Sequence, residues 1–63
     1  MFENYDDILN LQEASEALKL GTSHTYKILR SGNLRGYKEG KDWKIPKIAL
    51  EHYIRKKINL PAY

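Results

Sequence analysis

Apolar residues recur along the chain at spacings that change from segment to segment, and each spacing predicts an element. Leu11, Ala14 and Leu18 follow i, i+3, i+7 and fall on one face of a helix starting near residue 11. Asn10 stands ahead of it as a residue type that accepts from the free N–H groups of a first turn. Glu13, three residues later, completes the sequence pattern of a capping box. Leu9 before the cap and Ala14 stand where a hydrophobic staple would pack. Lys19 and Leu20 lead to Gly21, which is expected to stop the helix. A second helix is expected from Thr22 to Ser31, closed by Gly32. At about 100° per residue, Thr25, Ile28 and Leu29 gather on one side. Ser23, Lys27 and Arg30 gather on the other, flanked by His24 and Tyr26.

From Leu34 to Ile45 the period shortens. Leu34-Arg35-Gly36-Tyr37-Lys38 and Trp43-Lys44-Ile45 read as two short strands mixing apolar and basic residues, with Glu39-Gly40-Lys41-Asp42 as the turn of a hairpin. Pro46 then predicts a helix start at its first helical position, and Ala49, Leu50, Tyr53 and Ile54 repeat at helical spacing on its core side. Arg55, Lys56 and Lys57 complement the C-terminal end of that helix dipole. The predicted fold is mainly α with a small β-hairpin: three helices plus a wing, the order of a winged helix-turn-helix. Two short helices joined by a tight glycine-bearing turn form its first half.

Composition narrows what such a chain does. With 63 residues, it is expected to form one domain, 1–63, with a short acidic N-terminal segment (1–8) and a C-terminal tail (58–63). At 41% hydrophobic and 30% charged, it is globular rather than disordered. There is no cysteine, and His24 and His52 lack metal-ligand spacing, so no metal and no cofactor are expected. No apolar run approaches the ~18 residues of a membrane span, and the start MFENYDD is opposite in character to a secretory signal; a cytoplasmic protein is expected. No nucleophile–base pair, paired carboxylates or phosphate-binding glycine loop is present, so an enzyme is not expected. The formal charge of +3 is unevenly distributed: it is −4 over residues 1–20 and +7 over residues 21–63. A basic stretch behind an acidic one suggests a surface that faces a polyanion.

Four runs of residues, in this order and spacing, resemble the excisionase-like branch of the MerR-type winged helix-turn-helix domains. They are Leu9-Asn10-Leu11-Gln12-Glu13-Ala14, Thr25-Tyr26-Lys27-Ile28-Leu29, Ser31-Gly32-Asn33-Leu34, and Gly40-Lys41-Asp42-Trp43-Lys44-Ile45-Pro46-Lys47. The resemblance covers Leu9 to Ile54, nearly the whole chain. It departs from the family at Gly21, where serine is usual, and at Thr25, where valine is frequent. It departs again at Glu39, commonly apolar, and at Asp42, commonly basic; these last two add negative charge to the wing turn. The family consists of small DNA-binding proteins of phages, plasmids and transposons. The resemblance therefore implies a nucleoid-associated, bacterial or phage-encoded protein that binds double-stranded DNA. It would act as an excisionase (a recombination directionality factor) beside an integrase, or as a small transcription regulator using the same surface. A protein-interaction module that has lost DNA binding is a third reading, motivated by Glu3, Asp6, Asp7, Glu39 and Asp42.

In a helix-turn-helix the second helix enters the major groove, and its N-terminal half meets base edges. That places Thr22 and Ser23 as hydroxyl donors at a helix N-terminus that favours phosphate. His24 and Lys27 are the candidate base readers, suited to guanine O6 and N7, and Arg30 is a phosphate contact. On the wing, Arg35, Lys38, Lys41 and Lys44 are candidate backbone contacts, with Tyr37 as a further phosphate donor. Trp43 is assigned to the core with its indole N–H partly exposed, and Tyr26 to packing at the helix edge. A single small module covers about 600–1,000 Å² of DNA interface, which gives modest specificity. Adjacent sites, cooperative self-association or a recombinase partner are therefore expected, with Leu60, Pro61 and Tyr63 as a candidate intermolecular contact.

Overall fold

Asn10 begins the first helix in a computed structural model that describes residues 2–59. Its Oδ1 accepts from the Glu13 N–H at 2.7 Å, and Glu13 Oε1 accepts from the Asn10 N–H at 3.0 Å, closing the capping box. Two residues ahead lies a short strand, β1 (Ile8–Leu9), that the local pattern did not predict. Helix α1 follows (Leu11–Leu18), then α2 (Thr22–Ser31), strands β2 (Tyr37–Glu39) and β3 (Asp42–Pro46), and α3 (Lys47–Lys57). The three helices and the hairpin match the predicted winged helix-turn-helix order.

The stop of α1 is not Gly21. Lys19 ends the helix in the left-handed region (φ 57, ψ 43), where its N–H donates to Glu16 O and the Leu20 N–H to Ser15 O, the paired bonds of a Schellman turn. Gly21 takes an extended conformation and is the N-cap of α2. It has no side chain to offer, yet its carbonyl accepts both the Thr25 N–H and the Thr25 hydroxyl at 3.0 Å. Thr25 is fully buried, and this bond satisfies its hydroxyl where an apolar side chain would have none to satisfy. Gly32 closes α2 at φ 86, as expected.

The hairpin is shorter and set further along than the sequence pattern predicts. Residues 34–36 lie outside β2, and Glu39 and Asp42 belong to the strands, facing each other across the turn residues Gly40 and Lys41. Gly40 has φ 64 and Lys41 does not share a positive φ, the pattern of a type II′ turn that keeps the strands' twist. Pro46 is the last residue of β3 and the N-cap of α3, so the helix starts at Lys47, one residue later than predicted. It holds extended backbone because it still pairs with Ile8.

β3 is the middle strand of an antiparallel sheet ordered β1-β3-β2, with Leu9 opposite Ile45 and Lys38 opposite Trp43. Leu9, Leu34, Ile45 and Leu50 are essentially fully buried, with Ala14, Leu29 and Ala49 completing the core. The acidic N-terminal segment is not a loose lead-in. Phe2 and Tyr5 pack on the core, their rings edge-on at 6.4 Å. The Lys47 N–H, one of the free donors at the start of α3, donates to Asp7 O at 2.7 Å, and its Nζ lies 3.6 Å from the Asp7 carboxylate. At the other end, Ile58 follows α3 and is exposed. The proposed tail contact at Leu60, Pro61 and Tyr63 lies outside the described residues.

Candidate nucleic-acid interface

Burying Thr25 and Leu29 against α1 and the sheet leaves one flank of α2 in solvent. Thr22, Ser23, His24, Lys27 and Arg30 are all exposed, with Ser23, Lys27 and Arg30 on the stripe opposite the buried pair. Thr22, Ser23, Tyr26 and Lys27 line, with Leu11, a shallow open groove of about 420 Å³ along the N-terminal half of the helix. The start of α2 carries no side-chain cap, so its first N–H groups keep their capacity to donate outward.

The hairpin positions its charges by register. Residues directly opposite on antiparallel strands share a face. Tyr37 therefore sides with Lys44, and Glu39 with Asp42, while Lys38 sides with Trp43. Trp43 and Ile45 alternate onto the face turned to the core, so Lys38 shares the face turned toward α2. Lys44 lies on the opposite face, half-buried, beside an exposed Tyr37. Lys41 is exposed at the turn. Three of the four predicted wing cations, Lys38, Lys44 and Lys41, are thus divided between two faces and the tip. Arg35 is set apart from them, because the chain is not yet in β2. It lines a basic groove of about 360 Å³ with Asn33, His52, Arg55 and Lys56, at the C-terminal end of α3. The two glutamate/aspartate departures pair across the hairpin end, next to the turn, and lower its positive charge.

One connection joins the two parts. The Tyr26 and Trp43 rings meet edge to face, with centroids 6.1 Å apart and planes at 80°. Arg30 lies over the same tyrosine ring at 5.8 Å, and its Nη1 donates to the Tyr26 hydroxyl at 3.1 Å. Tyr26 does pack at the helix edge, as its flanking position predicts, and Trp43 is half-buried against the core. The Arg30–Tyr26 contact follows an i, i+4 spacing that sequence alone displays. The Tyr26–Trp43 contact depends on the hairpin folding back and has no local signal.

A family model of the helix-turn-helix domain matches residues 8–58. The chain belongs to the helix-turn-helix domain family. Neither a curated protein nor a solved structure matches it. The matched span of this helix-turn-helix domain takes in β1, all three helices and the hairpin. Membership supports DNA binding through the helix-turn-helix, with double-stranded DNA as the partner, and points to a binding protein rather than an enzyme. Among the described residues no cluster of three or more His, Cys, Asp or Glu is placed to hold a metal ion, and no helix is long and apolar enough to cross a membrane.

Proposed function

We propose that this helix-turn-helix domain recognises a specific double-stranded DNA sequence and acts as an excisionase, a recombination directionality factor that helps an integrase assemble on phage, plasmid or transposon DNA. The observation that carries the DNA-reading part is the exposed surface of α2: Ser23, Lys27 and Arg30 follow one stripe opposite the buried Thr25 and Leu29, with His24 beside it and Thr22 exposed at the helix start. In this reading α2 enters the major groove. Thr22 and Ser23 donate to a phosphate at the helix N-terminus, His24 and Lys27 read base edges, and Arg30 meets the backbone. The hairpin follows the adjacent backbone, with Lys38 and Lys41 approaching from the α2 side and the tip, and Tyr37 and Lys44 from the outer face. Arg35 adds a contact flanking the wing.

The excisionase role rests on the sequence resemblance. A domain of this size gains selectivity from neighbouring sites, from self-association on DNA or from its recombinase. With roughly four to six phosphate contacts, log K should fall against log salt with a slope near −4 to −5.

Selection of bound duplexes from a random pool, followed by mobility shifts across salt concentrations, tests the reading. A recovered motif, with repeats at a fixed spacing, supports sequence-specific binding and reveals the assembly. Retardation of no duplex at low salt overturns it in favour of a protein-interaction module. An excision assay with the neighbouring integrase separates the recombination role from a transcription regulator built on the same surface.

A further inference from the structure

The hairpin is fastened to α2 at two points. At its base, Leu29 reaches over Gly36 and Ile45, close enough that a Cβ on Gly36 would stand 3.0 Å from Leu29 Cδ2. Nearer the turn, Trp43 makes an edge-to-face contact with Tyr26. β1 holds the far end of β3 at Ile45 and Pro46, so the Trp43 contact is the one that holds the turn half of the hairpin against α2. Tyr26 is also the residue against which Arg30 lies, by both its ring and its hydroxyl. One side chain thus sets the direction of a recognition-helix cation and the tilt of the wing. Lys38, on the Trp43 face of the hairpin, is the cation that tilt would swing.

We propose that Tyr26 is the positioning residue of this interface: its hydroxyl and ring hold the Arg30 guanidinium toward a DNA phosphate, and its edge contact with Trp43 fixes the wing relative to the recognition helix. This rests on the DNA-binding reading above. Tyr26 itself contacts no base in this arrangement. It restricts a flexible arginine before DNA arrives, so that less side-chain freedom is lost on binding.

The experiment uses the full chain, a short random-sequence duplex and three substitutions. Tyr26→Phe keeps the ring and its contact with Trp43 but removes the hydroxyl. Its affinity should drop about five- to tenfold near 0.1 M salt, and the slope of log K on log salt should shallow by about 0.9, the value of one lost phosphate contact. Arg30→Ala should lose at least as much, since Tyr26→Phe keeps the ring against the guanidinium, and Tyr26→Phe/Arg30→Ala should lose no more than Arg30→Ala alone. Tyr26→Leu should lose more affinity than Tyr26→Phe. It should also red-shift the emission of Trp43, the only tryptophan, as its edge partner is withdrawn, while Tyr26→Phe leaves the emission in place. Wild-type binding by Tyr26→Phe, or additive losses in the double variant, would overturn the positioning of Arg30. Unchanged emission in Tyr26→Leu would overturn the brace. If the unmodified chain binds no duplex, the DNA reading itself falls, and with it the phosphate role of Arg30; the emission of Tyr26→Leu still decides the brace.

Discussion

Replacing Gly36 with alanine should loosen the base of the wing. The added Cβ would stand 3.0 Å from Leu29 Cδ2, 3.1 Å from Ile45 Cγ1 and 3.3 Å from the Lys44 carbonyl oxygen. All three are inside ordinary van der Waals separation. None is the free end of a mobile side chain: Leu29 and Ile45 are 7% and 0% exposed, and the third atom is backbone. Overpacking of this kind costs about 1–3 kcal/mol. Gly36 is not among the positive-φ glycines, so alanine is allowed by the backbone and returns about 0.4–1 kcal/mol by restricting the unfolded chain. From the middle of each range the net loss is about 1 kcal/mol, which for a domain of this size lowers Tm by about 4–8 °C. Thermal unfolding followed by circular dichroism measures it. Leu29→Ala supplies the control, because it removes the closest atom. In that background Gly36→Ala should cost less than half as much, since the new methyl enters space the leucine vacated. An unchanged or higher Tm for Gly36→Ala, or full additivity with Leu29→Ala, would refute the steric account.

Three further outcomes are expected. Lys19→Gly should stabilise the domain by about 0.5–1 kcal/mol, because Lys19 sits at φ 57 at the end of α1 where glycine pays no Cβ penalty; a lower denaturation midpoint would contradict this. Trp43→Ala should destabilise by about 2 kcal/mol, less than for a fully buried tryptophan, since the ring is half-buried and capped on one side by Tyr26; an unaltered melt would show the packing to be incidental. Lys27→Ala should weaken binding by about 1–3 kcal/mol on a selected site and relax its specificity, whereas Lys44→Ala should weaken all duplexes alike and reduce the salt slope by about 1; equal losses for Lys27→Ala on selected and random duplex would remove it from base reading.

Legibility followed range along the chain. The capping box of Asn10 and Glu13 and the limits of α2 are written within a few residues, and the chain folds there as those residues direct. Even locally, competing uses of one residue type mislead. Gly21 satisfies the rule for ending a helix, but only three residues join α1 to α2, and Gly21 serves the second helix while Lys19 bears the strained end of the first. What depends on distant partners was not readable. β1 is two residues long and exists because β3 returns to pair with it. Pro46 is drawn into the strand by the same pairing. The exposed stripe on α2 was visible as a periodicity. The division of wing cations between two faces was not, because it is fixed by which residue opposes which across Gly40 and Lys41, and the polar run 39–42 makes the turn look one residue wider on each side than it is. Proximity in sequence groups Arg35 with the wing, whereas the fold sets it beside α3.

The pairing of Leu9 with Ile45 has a kinetic consequence. The α1–α2 unit and the β2–β3 hairpin are each closed by near neighbours in sequence, so both can form early. β1 must wait until β3 is in place, because it docks on that strand's other edge with the whole two-helix unit in the intervening loop. Its docking also brings Asp7 to the first turn of α3, where it receives the Lys47 N–H. Docking of β1 is thus the step that closes the longest loop in the sheet. On a ribosome, the β1 residues are made first and must remain unpaired until position 46 has emerged. Changes at Leu9 should then speed unfolding more than they slow folding, and protein fused just before β1 should act on the lifetime of the native state.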